Sequence, residues 1–225
     1  MCNLYSLTQG QDAIRRIFAP VLRDGGDLRD RTGNLPPQPG IFRDYAAPII
    51  RNSPDGYDLI RARWGMPSPA FALKGKRTDP GVTNIRNTGS AHWRRWLGVQ
   101  HRCLVPFTSF SELDARPGAP RNHPVWFALD HDRPLAFFAG LWTRWTSVRK
   151  LKEGEVTADL YGFLTCDPDA TVAPVHPKAM PVILTRPDEW RRWLTAPTPL
   201  ALTLQRPLDD GLLHIVAEGR RDDGA

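Results

Sequence analysis

The sequence predicts an α+β fold, a mainly antiparallel, partly closed, barrel-like β-sheet with short helices packed on it. Three observations predict it. Apolar runs of strand length recur along the chain, separated by turn residues. The segments with helical spacing are few and short. The 22 prolines in 225 residues, often beside apolar residues, favour loops and short strands over a helical bundle.

Each element has its own signal. Thr8-Gln9-Gly10-Gln11 resembles a capping box, and Ile14, Ile17 and Phe18 follow at helical spacing, which predicts a helix over about 9–19. Residues 23–40 are rich in Gly, Pro and Asp and read as a loop. Ala47–Arg51 and Tyr57–Trp64 read as strands around a Pro-Asp-Gly turn. Ser90–Leu97 reads as a short helix with Trp93, Trp96 and Leu97 on one face. Arg102–Pro106, Val125–Leu129, Leu135–Leu141, Leu160–Thr165 and Pro181–Leu184 are strand-like. Glu189–Leu194 reads as a helix burying Trp190, Trp193 and Leu194, and Leu212–Ala217 as a closing strand. Residues 1–218 form one expected domain, and 219–225 a polar, disordered tail. Trp-Arg-Arg-Trp occurs at 93–96 and again at 190–193. The repeat invites a nucleic-acid reading, but Trp at i and i+3 around two Arg is also what an amphipathic turn looks like.

Composition narrows the function. No run of 18 apolar residues is present, and Met1–Gly10 lacks both a basic and an apolar signal region, so a cytoplasmic protein is expected. Cys2, Cys103 and Cys166 have no metal-type spacing, and no cofactor is expected. Lys and Arg exceed Asp and Glu by 30 to 24, a balance that permits nucleic-acid binding without proving it. Eight Trp offer stacking surfaces, although most should fill the core.

The chemistry begins at Cys2. An initiator Met before a small residue is commonly removed, which would leave a cysteine with a free α-amine beside its thiol. The amine, with an ordinary pKa of roughly 7.7–8.0, is substantially neutral near pH 7. It can attack an aldehyde, and the thiol can then close a five-membered thiazolidine. The thiolate can alternatively attack an acyl carbon. Three further polar residues lie beside strand-like segments: Asn84 after a Pro-Gly turn, Glu112 between Phe110 and Leu113, and His176 between Val175 and Pro177. Singly, each also reads as an ordinary turn or loop residue.

Together these residues fall in blocks that resemble the SOS-response-associated peptidase family. The blocks are Met1-Cys2-Asn3-Leu4, Arg63-Trp64-Gly65-Met66-Pro67, Asn84-Ile85-Arg86, Arg102-Cys103-Leu104-Val105-Pro106 through Phe110-Ser111-Glu112, Phe138–Trp142, and His176-Pro177-Lys178-Ala179-Met180-Pro181-Val182-Ile183-Leu184. They follow the family's order from residue 2 to about 184. The chain departs from the pattern at Asn3 and Leu4, where the family has Gly-Arg, in Asn84-Ile85-Arg86-Asn87-Thr88, which lacks the family's acidic residue, and in the His176 block, which has one extra residue and Lys178 where the family has Arg.

The resemblance implies an SRAP-like fold and a sensor of abasic sites in single-stranded DNA that forms a covalent thiazolidine crosslink through Cys2, with Cys2, Asn84, Glu112 and His176 as the catalytic set. It also implies a cysteine autopeptidase with lyase-like activity; here only Met1 precedes Cys2. For the DNA we expect Arg86 and Lys178 on phosphates, Trp64 as a base platform, Met180 and Pro181 as an apolar wedge, and Thr165 on sugar or phosphate. A monomer, associated with the nucleoid when bound to DNA, is expected. Two other readings stay open. One is an N-terminal-nucleophile amidohydrolase or amidotransferase, which requires a four-layer sandwich. The other is a non-covalent single-strand binder in which Cys2 is incidental.

Overall fold

The computed structural model describes residues 2–22 and 27–223. Strands β4 (Ala46–Ser53), β5 (Gly56–Trp64), β7 (Arg102–Phe107), β10 (Ala136–Val148) and β11 (Glu155–Cys166) pair in the order β11-β10-β7-β4-β5. The ring closes where Arg63 and Trp64 at the end of β5 run parallel to Leu160 and Tyr161 of β11. Every other pairing in this five-strand barrel is antiparallel. Short strands extend it. β2 (Asp27–Asp30) and β6 (Asn84–Ile85) lie parallel to β5 and β11, while β12 (Met180–Pro181) and β13 (Ile183–Leu184) pair antiparallel with β11 and β10.

A second antiparallel sheet runs β14-β9-β8-β1-β3, from β14 (His214–Glu218), β9 (Pro124–Ala128), β8 (Ser109–Leu113), β1 (Leu4–Leu7) and β3 (Gln38–Phe42). Aromatic rings join the two bodies. Tyr5 of β1 meets Trp64, Phe138 and Phe163 edge-on, and Phe138 stacks on Phe107 at 3.9 Å between ring centroids. Such ring pairs add stability beyond the area they bury.

Five α-helices are found among the described residues: α1 (Gln11–Phe18), α2 (Ala70–Leu73), α3 (Ala91–Arg94), α4 (Pro187–Thr195) and α5 (Thr198–Leu202). α4 starts with Pro187, and the Glu189 carboxylate accepts from the backbone N–H groups of Thr185 and Arg186, satisfying donors that a helix start leaves open. It lies against β7 and β10, where Trp193 Nε1 donates to the carbonyls of Cys103 and Gly140. Both Trp-Arg-Arg-Trp segments bury their Trp pairs, as amphipathic turns do.

Arg102 ties this corner together. Its side chain is buried and donates to the carbonyls of Leu97, Trp193 and Ala196 and to Thr198 Oγ1. Arg102→Met would roughly keep the volume and take a donor from the carbonyls of Trp193 and Ala196, while Thr198 Oγ1 still donates to that of Leu97. We expect it to lower the unfolding free energy by about 3 kcal/mol, read by urea denaturation.

Several expectations need correction. The predicted loop over 23–40 contains β2 and β3; its first four residues lie outside the described residues, as do Met1 and 224–225. α1 begins after Gly10 with no side-chain cap, so Thr8 caps nothing. β10 and β11 run well beyond their predicted ends as a two-stranded ribbon with polar residues on its exposed face. The tail is anchored through residue 223: Asp223 is buried, pairs with Arg133 at 2.7 Å and accepts from Ser109 Oγ at 2.6 Å. No helix among the described residues is long and apolar enough to cross a membrane.

Candidate active site

The site forms where Cys2, just ahead of β1, meets Asn84 of β6. Ser111 of β8 pairs with Leu4, and strand alternation turns the neighbouring Glu112 to the opposite face. Asn84 enters from β6, in register with Phe163 of β11. His176 comes from the turn between β11 and β12. Cys2 and Glu112 are almost wholly buried, Asn84 is buried and His176 partly so.

Asn84 Nδ2 donates to the Cys2 carbonyl at 2.7 Å and to Thr83 Oγ1 at 2.8 Å. Thr83 Oγ1 in turn donates to Asn3 Oδ1 at 3.3 Å, so Asn3 helps brace the segment that presents Asn84. His176 Nδ1 bonds to the carbonyl of Ala179 at 2.9 Å. A carbonyl only accepts, so Nδ1 carries the proton and Nε2 is an acceptor. Nε2 faces Glu112 Oε2 at 3.9 Å, too far for a direct hydrogen bond.

Burial governs the charges here. It pushes the Glu112 carboxyl up to about 7 and lowers His176 below its ordinary value. His176 is therefore largely neutral around pH 7, where Glu112 is divided between acid and carboxylate. Burial, and then the negative charge of Glu112, push the Cys2 thiol far above its usual range. The thiol is protonated and donates to the Leu4 carbonyl. Such a sulfur needs a base when it attacks, and a carboxyl titrating near neutrality can serve as acid in one step and base in the next.

The residues assigned to DNA separate. Arg86 is half-exposed and paired with Asp167 at 2.5 Å. It shares a cleft of about 250 Å³ with Thr165, whose buried hydroxyl has no hydrogen-bond partner among the described residues. Lys178 is exposed. Trp64, Met180 and Pro181 are buried, which corrects their assignment as platform and wedge. The Trp64 ring stacks against Phe163 and Tyr161 and takes the edge of Tyr5, which leaves no face for a base.

Two contributors carry no local sequence signal. Thr83 holds Asn84, and Gln205 bridges the carbonyls of Arg86 and Thr165 from far along the chain.

The family model described as SOS response associated peptidase (SRAP) matches residues 1–217. The chain belongs to this family. Membership ties this SRAP chain, in general terms, to the SOS response and to DNA. The solved structures it resembles include one from Bordetella bronchiseptica at 24% identity, covering 97% of this chain and 98% of that one with a TM-score of 0.68. Another, from Bacteroides thetaiotaomicron, has 20% identity, covers 95% and 90%, and has a TM-score of 0.65. A phage-related protein of Bordetella bronchiseptica has 19% identity, covers 91% and 87%, and has a TM-score of 0.63. These likenesses bear on the fold alone. No curated protein matches the chain. The SRAP barrel is also not the four-layer sandwich that an N-terminal-nucleophile amidohydrolase requires.

Proposed function

We propose that this SRAP protein captures abasic sites in single-stranded DNA as a covalent thiazolidine on Cys2, after loss of Met1. The supporting observation is the convergence, around one buried cysteine, of an amide on its carbonyl, a carboxyl raised to about 7 and a neutral imidazole.

The ring-opened abasic sugar presents an aldehyde. The Cys2 amine adds to it, giving a carbinolamine. Protonated Glu112 donates to the departing hydroxyl, water leaves and an iminium forms. The thiol sulfur then attacks the iminium carbon and gives up its proton to the Glu112 carboxylate, directly or through His176 Nε2. The cycle closes the ring with net loss of one water and returns Glu112 to its acid form. Asn84 fixes the cysteine backbone, so amine and sulfur meet one carbon in succession; such tethering supplies much of the rate. Arg86, Thr165 and Lys178 are the proposed contacts to the strand. Autopeptidase processing on this reading removes Met1, by the chain itself or by an aminopeptidase.

The test is incubation of the mature protein with an abasic single-stranded oligonucleotide, followed by a denaturing gel. A covalent band is expected. Asn84→Ala should slow its appearance about 100-fold with the fold intact. A shift that is salt-sensitive and wholly non-covalent would favour the simple binder instead.

A further inference from the structure

We infer that the cleft between α3 and the outer end of the β10–β11 ribbon is a second, non-covalent site for a nucleotide, its phosphate on Lys76, Arg77 and Arg95 and its base against Trp145. The cleft has a volume of about 360 Å³, within the range of small-ligand sites. Many of the described arginines are matched with acids, among them Arg29, Arg63, Arg116, Arg133 and Arg206. Lys76, Arg77 and Arg95 are exposed, line this one cleft and form no ion pair among the described residues.

The acid in the wall is Asp79. It is buried, and its two oxygens accept from the backbone N–H groups of Ser68 and Gly81, which turns its charge inward. Asp79 offsets at most one of the three cations, so the cleft keeps a net positive charge.

The aromatic wall completes the match. Trp96 is buried and has the Arg95 guanidinium over its ring at 5.0 Å. Trp145 meets Trp96 edge-on at 6.2 Å and is 39% exposed, the most exposed of the tryptophans. An exposed indole beside unpaired cations is the combination that holds a base and its phosphate. Trp145 pairs with Ala158 and Asn84 with Phe163. Five positions along β11 separate the levels, about 17 Å at ~3.3 Å per residue. The cleft is therefore apart from Cys2, and the inference does not rest on the chemistry proposed there.

The ligand is a free nucleotide or one unit of a single strand, and two probes tell these apart. Fluorescein-labelled oligo(dT) without an abasic site is titrated with the full chain by anisotropy at several salt concentrations, and unlabelled dTMP is added as competitor. Trp145→Ala should weaken binding about tenfold, and Trp145→Phe should bind within about twofold of the parent. The double variant K76E/R77E should weaken binding and flatten the salt slope by about 0.7 for each phosphate it no longer neutralises. Competition by dTMP assigns the site to free nucleotides, and absence of competition assigns it to the strand; either supports the inference. Parent-like affinity and salt slope in both Trp145→Ala and K76E/R77E would overturn it, as would failure of the parent to bind either probe.

Discussion

Cys2→Ala is expected to abolish the stable adduct while leaving its first step intact. The variant keeps a processed N-terminus, because Ala is as small as Cys, and so keeps the α-amine. It lacks only the sulfur. The amine can still form an imine with the aldehyde, but nothing converts that imine into a ring, and imines hydrolyse readily. Without reductant the covalent band should vanish, a loss of more than about 1,000-fold on the scale by which intramolecular capture exceeds its intermolecular counterpart. With borohydride present during incubation, the band should return as a reduced amine. Blocking the α-amine should remove both bands. A stable band from Cys2→Ala without reductant would put the bond on another residue.

Glu112→Gln is the second large effect, and it should move activity and stability in opposite directions. Glutamine keeps the shape and loses the titrating proton. Loss of one general acid–base group should slow trapping by about 100-fold or more. In the parent, trapping should fall as pH rises through about 7, where Glu112 gives up its proton; in the variant that limb should be absent.

The stability effect follows from the same burial. Burial raises Glu112 from 4.5 to about 7 in the folded chain, so the folded state holds its proton where the unfolded state has lost it. The stabilising contribution is complete below about pH 4 and is lost as pH rises through about 7. At pH 8 the parent carries a buried carboxylate at a cost of at most ~3 kcal/mol. Glu112→Gln should therefore be more stable than the parent at pH 8 and close to it at pH 4, measured by urea denaturation. A variant that traps normally would remove Glu112 from the mechanism.

How much was legible in the sequence depended on whether the signal was local. The barrel strands announced themselves because both of their faces are buried, which makes continuous apolar runs, as in Leu104-Val105 and Phe137-Phe138-Ala139. β1 and β8 were missed because each alternates with small polar residues, Ser6, Ser109 and Ser111, that are buried by pairing and not by apolarity. The ribbon was cut short where apolar continuity stops at Leu141, although cross-strand pairing continues to Val148. The tail looked frayed from its charge, yet one of those charges, Asp223, is matched by Arg133.

At the site, four separate blocks named Cys2, Asn84, Glu112 and His176, and the fold sets Asn84 on the Cys2 carbonyl and His176 opposite Glu112. Roles that depend on exposure could not be read the same way. A tryptophan in an Arg-Trp-Gly block looks like a stacking platform until its faces are found occupied by Tyr161 and Phe163. Thr83 and Gln205 act through single hydrogen bonds fixed by tertiary placement, and no spacing in the sequence encodes that.

The most direct measurement is the intact mass of the adduct formed without reductant and then treated with borohydride. A cyclic N,S-acetal on the first nitrogen and its own sulfur requires the mass of the chain lacking Met1 plus that of the oligonucleotide less one water, unchanged by borohydride. An adduct that retains Met1, or one that gains two hydrogens on reduction, contradicts it.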